Sequence, residues 1–249
     1  MLRAFRALPL AMQIGIGALA VLALWFAANA LVQVARKPTE LFFPVSGMLH
    51  KTPTETWRSY SPIFRAHATS TITPELLAAL AQVEATGNPV ARTYWRWQAA
   101  PDPFEVYRPA SSAVGMYQIT DDTFAEAKRY CIHDHAVTAD GPWHDLRSCW
   151  FNALYFRIVP SHAVELTSAY LDVRVASIFA RQRIGAATLR QKQDIAAMIH
   201  LCGASAGEAY ARRGFRVAAG QRCGDHDVRA YLDRVDAAQR VFTRLAAGS

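Results

Sequence analysis

The sequence has no internal repeat and no low-complexity tract, so neither a solenoid nor a disordered tail is expected. Strand signals are few, and the apolar periodicity is helical over most of the chain, which predicts one mainly α domain. Zinc-finger spacing and RNP-type signatures are both missing, and the arginines are scattered along helical stretches instead of clustering with aromatics. Nucleic acid is therefore not expected as a partner, although the formal charge is +7. Phospholipid headgroups and a carboxylate-bearing cell-wall polymer are the anionic partners that remain.

Charge is also missing from one long stretch. Between Ala7 and Ala35 there is no Asp, Glu, Lys or Arg, while Arg3 and Arg6 precede the run and Arg36 and Lys37 follow it. That length can cross a bilayer, for which about 20 apolar residues suffice. Ala28-Asn29-Ala30 has the small-x-small pattern of a signal-peptide cleavage site, so removal of the segment is the alternative. An apolar run this long favours an uncleaved anchor, with residues 8–34 in the membrane. Either reading exports the rest of the chain.

Cysteine usage agrees with export. Cys131, Cys149, Cys202 and Cys223 all lie beyond the apolar segment, an even number suited to an oxidising compartment. Four cysteines allow three connectivities. The two local pairs, Cys131 with Cys149 and Cys202 with Cys223, are favoured because each closes a polar, glycine-containing loop between predicted helices. Cys131, His133, His135 and Cys149 lack the two-by-two spacing of a zinc site, so neither metal nor cofactor is expected.

Three regions follow: residues 1–36 as anchor or signal segment, 37–60 as linker and docking segment, and 61–249 as the domain. Pro38, Pro44 and Pro53 in a Ser/Thr-rich stretch support the linker. Thr73-Pro74-Glu75 supplies an N-cap, a proline at the first helical position and an acidic first turn, and Gly87 with Pro89 ends the helix so begun. Further helices are expected from Thr120 through Cys131, from Asp145 to Pro160, from Ser161, over 191–202, and along the face traced by Leu232, Val235, Phe242 and Leu245. Gly203-Ala204-Ser205-Ala206-Gly207 matches a G-x-S-x-G nucleophile elbow, but helix instead of strand precedes it, so a helix-to-helix turn is the better reading.

On the first of these helices, Leu77, Leu80 and Glu84 stand at i, i+3 and i+7, which turns the Glu84 carboxylate toward the apolar face near the helix end. Apolar surroundings disfavour the charged form, as suits a general acid. A lone glutamate at a helix end is more often a residue that reaches water.

The surrounding string decides the matter. Val83-Glu84-Ala85-Thr86-Gly87-Asn88-Pro89, followed by Ser111-Ser112-Ala113-Val114-Gly115-Met116-Tyr117-Gln118-Ile119-Thr120, resembles the soluble lytic transglycosylase (SLT-domain) family, relatives of goose-type lysozyme. Ala169-Tyr170-Leu171 and Ile199-His200-Leu201-Cys202-Gly203 resemble its later segments, so the likeness spans roughly residues 70–210. Ala85 replaces the family's usual Ser, and His200 stands in a Tyr-Asn-Ala-Gly segment whose Asn is missing. The resemblance implies a mainly α, lysozyme-like domain after one N-terminal membrane or signal helix, at the outer face of a bacterial inner membrane.

It further implies that Glu84 alone cleaves the MurNAc-GlcNAc β-1,4 bond with formation of 1,6-anhydroMurNAc. Substrate contacts carried over by position are Ser112, Met116, Tyr117, Gln118, Tyr170 and His200. Met116 and Tyr117 would line the cleft floor. In the aromatic insertion between the two motifs, Tyr94, Trp95 and Trp97 would either stack on sugars or form a satellite apolar cluster. Asp102 or Glu105 could hold a water and turn the outcome to hydrolysis, making the chain a muramidase. A non-catalytic peptidoglycan-binding subunit is the other alternative. Local wall opening for a secretion or conjugation machine is the expected role.

Overall fold

The computed structural model describes residues 9–145 and 147–248, so Arg3, Arg6 and Leu8, the first residue of the expected span, lie outside the described residues. The chain divides into two compact units. One comprises the residues up to Phe43 together with Thr93–Ser112, and the other Pro44–Arg92 together with the chain from Ala113 onward.

The first unit is built on α1 (Leu10–Arg36), 27 residues with no buried position in its most apolar window. Long aliphatic side chains with no charge to interrupt them give a helix about 40 Å long at 1.5 Å per residue. It is long and apolar enough to cross a membrane. The insertion forms an antiparallel hairpin of β1 (Trp95–Trp97) and β2 (Tyr107–Pro109), in the register Trp95↔Pro109, Arg96↔Arg108 and Trp97↔Tyr107. Period-two alternation puts the aromatics on one face and the two arginines on the other.

The second unit is mainly helical. Thr52 opens α2 (Pro53–Ala66) with a capping box to Glu55, and Trp57, Tyr60 and Phe64 are buried. The segment read as linker therefore ends at Pro53, several residues before the expected boundary. Pro53 takes the first helical position, where its missing N–H costs nothing, whereas Pro62 lies inside the helix and removes one of its backbone hydrogen bonds. Next comes α3 (Pro74–Ala85), in which every residue from Leu76 to Ala81 is buried. A helix covered all round is the central element of a core. It packs between α2 and the C-terminal α8 (Val228–Ala247), and Trp57 meets Phe242 at a ring distance of 5.9 Å.

Between these run α4 (Asp121–Ala127), the hairpin β3 (Tyr130–His133) with β4 (Ala136–Ala139), α5 (Pro160–Gln182), α6 (Leu189–Cys202), α7 (Ala204–Arg212), and the hairpin β5 (Arg222–Cys223) with β6 (His226–Asp227). Two expected helices are corrected. The one from Thr120 stops at Ala127, because Asp134 and His135 both take positive φ and make the tight turn that pairs β3 with β4. The one from Asp145 is reduced to a single 3-10 turn, Trp150–Leu154, where the Asn152 amide donates to the Tyr130 carbonyl at 2.8 Å. Gly203 caps α6 at φ +82, and the residues after it enter α7 directly, with helix before the would-be nucleophile elbow and helix through it. Both local disulfides, Cys131–Cys149 and Cys202–Cys223, are formed.

Candidate active site

Glu84 occupies the last turn of α3, and its side chain is 17% exposed. The chain reverses immediately after it. Thr86 and Gly87 both adopt left-handed backbone, and the Gly87 N–H returns to the Ala81 carbonyl at 3.0 Å. A Cβ on Gly87 would stand 2.3 Å from Thr56 Oγ1, so the turn is pressed directly against α2. Asn88, fully buried, donates to the Ser46 carbonyl and accepts from the Val90 N–H, which fixes the exit of the loop.

One oxygen of Glu84 is hydrogen-bonded on one side and faced by an imidazole on the other. The Tyr231 hydroxyl on α8 donates to Oε1 at 2.5 Å, and His200 Nε2 on α6 stands 3.6 Å from the same atom. Burial pushes the Tyr231 phenol well above its usual range, and the neighbouring carboxylate adds to the effect. Tyr231 is therefore a proton donor in hydrogen-bonding terms at any physiological pH. The other oxygen, Oε2, has no protein partner among the described residues. No carboxylate is among the polar contacts of Glu84, which are confined to Tyr231 and His200 among the described residues.

The second motif lies beside this loop. Gly115 takes φ +81, and a Cβ there would meet the Arg157 carbonyl oxygen at 2.4 Å. Gln118 is also left-handed, at φ +47, and its amide donates to the carbonyls of Gly115 (2.9 Å) and Ala91 (3.3 Å). Its N–H groups thus brace the turn, leaving the amide oxygen as the group with which it could accept from a ligand.

Several expected contacts are placed differently. Met116 and Tyr117 are fully buried, and the Tyr117 hydroxyl donates to the Leu77 carbonyl at 3.1 Å. They support the site from within the core and do not form the cleft floor expected of them. Burial pushes the Tyr117 phenol well above the ordinary tyrosine range, and its ring meets His200 edge-on at 6.4 Å, so it backs the imidazole that faces Glu84.

Tyr170 is half-buried on α5 beneath the Arg174 guanidinium, and it is not among the polar contacts of Glu84. Tyr94, Trp95 and Ser112 belong to the first unit, where the Trp95 indole N–H donates to Glu40 at 2.9 Å. Asp102 and Glu105, the candidates for a second catalytic carboxylate, are each 3.3 Å from Arg36 in that same unit.

Sequence reasoning missed Tyr231. The apolar face of α8 was legible, but a tyrosine one position before Leu232 carried no sign that its hydroxyl reaches a carboxylate 147 residues away. It also missed Glu165, buried on α5, which accepts from the Ile132 N–H at 3.0 Å and the Tyr155 hydroxyl at 2.7 Å. That network braces β3 and the loop before α5.

Residues 61–146 match the family model for the transglycosylase SLT domain, a span that includes α3, Glu84 and the Gln118 turn. No curated protein matches the chain. The matched segment makes this a chain with a lysozyme-like SLT domain, a module that acts on peptidoglycan. His200, Tyr231 and the whole of α8 lie beyond the match.

Proposed function

We propose, from an SLT domain centred on Glu84, that this chain is a lytic transglycosylase that cleaves the MurNAc-GlcNAc β-1,4 bond of peptidoglycan. The observation that carries this reading is the asymmetry of the carboxylate: Oε1 accepts from Tyr231, with His200 Nε2 3.6 Å away, while Oε2 has no protein partner among the described residues. A protonated Glu84 would deliver its proton to the glycosidic oxygen, so that the C1–O bond breaks and an oxocarbenium-like sugar remains. The Tyr231 hydroxyl would stabilise the carboxylate left behind, since a hydrogen bond to the charged form favours it. The muramic acid C6 hydroxyl would then attack C1 and return its proton to Glu84. One C–O bond breaks and one forms, with no water consumed.

Two ordinary glycosidase carboxylates are replaced here by one that acts twice, and this is why the contacts of Glu84 matter. No second carboxylate is among the polar contacts of Glu84 in the described residues, which supports the ring-closing outcome over hydrolysis. The same reading places α1 across the bacterial inner membrane with the SLT domain in the periplasm, where the two disulfides persist. Local wall opening for a secretion or conjugation apparatus fits an anchored enzyme of this size.

Digestion of purified sacculi by the full chain, with mass spectrometry of the soluble products, tests the reaction. Fragments ending in 1,6-anhydro sugars are expected, and Glu84→Gln should reduce their release by about 10²- to 10⁴-fold, the usual worth of general acid–base catalysis. Reducing ends would identify a muramidase. Undiminished release by the Glu84→Gln protein would end the mechanism.

A further inference from the structure

We propose that the β1–β2 hairpin is a membrane-interface clasp that seats beside α1 in the headgroup layer of a phospholipid bilayer, and is not a sugar-binding loop. The proposal rests on the reading of α1 as a membrane span, and it uses contacts within the first unit alone. Trp25, Asn29, Gln33 and Arg36 recur at helical spacing and share one face of α1. Each is engaged by the insertion. Trp25 stacks on Trp97 at 6.0 Å, Asn29 donates to the Tyr107 carbonyl at 2.7 Å, Gln33 donates to the Phe104 carbonyl at 2.6 Å, and Arg36 pairs with Asp102 and Glu105.

Length places this stripe at a bilayer surface. An α1 of about 40 Å exceeds the roughly 30 Å of hydrocarbon by about 10 Å, so its last two turns stand beyond the acyl chains. A span starting at Leu10 leaves the hydrocarbon near Ala30. Asn29 is then at the boundary, where an unpaired amide would be costly and where the hairpin carbonyls satisfy it. Trp25 and Phe26 fall about one turn inside it, and the hairpin adds Trp97 and Tyr107 at the same level. Aromatic side chains concentrate at that depth in membrane proteins. Despite its stacking contacts, Trp97 remains 61% exposed, and Tyr94 66%.

The opposite face of the hairpin points to the same occupant. Arg96 and Arg108 are directly opposed across the strands, a like-charge pairing that weakens a hairpin in water. Arg108 has Glu105 at 3.8 Å, whereas Arg96 is exposed and has no partner among the described residues. Lipid phosphates would neutralise that pair. A hairpin with aromatics against a membrane helix and cations facing outward is suited to an anionic bilayer surface.

The test uses the full chain reconstituted into vesicles of phosphatidylethanolamine and phosphatidylglycerol. Flotation is scored first. Tryptophan fluorescence is then quenched with nitroxide lipids labelled either high on the acyl chain or near its end, and the difference between the wild-type chain and Trp97→Phe isolates Trp97. The expected result is flotation with Trp97 quenched more by the shallow label, and loss of that preference in Arg96→Glu. That variant creates an opposite-charge cross-strand pair, so a hairpin folded only for its own stability would tolerate it.

A chain that floats while Trp97 is untouched by either label overturns the clasp and leaves the anchor standing. Failure to float overturns both.

Discussion

Tyr231→Phe removes one oxygen atom and keeps the ring that fills the space between α8 and α3. What is lost is a hydrogen bond of 2.5 Å to Glu84, made by a phenol that is 2% exposed to a carboxylate that is 17% exposed. Hydrogen bonds to charged groups contribute about 1.5–3 kcal/mol, and the orphaned acceptor cannot recover the whole of this from water at that depth. For a chain of this size, about 2–4 °C of Tm accompanies each kcal/mol, so the melting temperature should fall by roughly 3–12 °C. If the bond also steadies the carboxylate formed when Glu84 gives up its proton, kcat should fall by about 10- to 10²-fold with KM nearly unchanged, at 1.36 kcal/mol per tenfold.

The deciding measurement is a double-mutant cycle with Glu84→Ala, which leaves the phenol no side-chain acceptor at that position, read by thermal melts, with release of soluble fragments from sacculi scored for Tyr231→Phe. Coupling is expected, because the phenol and the carboxylate are direct partners. Equal stability losses from Tyr231→Phe in the wild-type and Glu84→Ala backgrounds would refute the reasoning. The tyrosine would then be an ordinary core residue.

Two further outcomes are expected. Burial holds the phenols of Tyr117 and Tyr231 well above the usual range, so the fold favours their protonated forms. Their contribution is whole below the ordinary tyrosine pKa of about 10 and is lost as pH rises beyond it, and thermal melts with ultraviolet detection of phenolate should show ionisation of the two arriving with unfolding. Replacing Cys202 and Cys223 with Ser opens a loop with a sequence separation of 21, a loss of about 3 kcal/mol on chain-entropy grounds. Activity should suffer more there than in the Cys131/Cys149 pair of substitutions, because the β5–β6 hairpin leads directly into the helix that carries Tyr231. Equal losses of activity in the two would count against that link.

Local chemistry made the elements around Glu84 legible in the sequence. Thr73-Pro74-Glu75 and Gly87 bound α3 because capping and left-handed turns are short-range effects, decided by residues within a few positions of one another. The uncharged stretch before Arg36 announced a long apolar helix for the same reason, and the Cys–Cys pairing matches proximity along the chain. What the tertiary structure decided was which of these pieces meet. Glu84 was on the correct helix with nothing in sequence to say which group holds it. Only packing of α8 against α3 brings Tyr231 to its oxygen, and only the fold turns Met116 and Tyr117 inward instead of toward a ligand.

The aromatic insertion shows the limit most directly. Trp95 and Trp97 have the composition of a sugar platform, and the same composition serves in a hairpin beside a long apolar helix, because an aromatic ring is amphipathic in either setting. Asn29 and Gln33 interrupt an apolar run without explanation until the carbonyls of Phe104 and Tyr107 are found beside them. Sequence fixes what a segment can do by its local preferences. The contacts between distant segments choose among those uses, and they depend on burial that no short window of residues records.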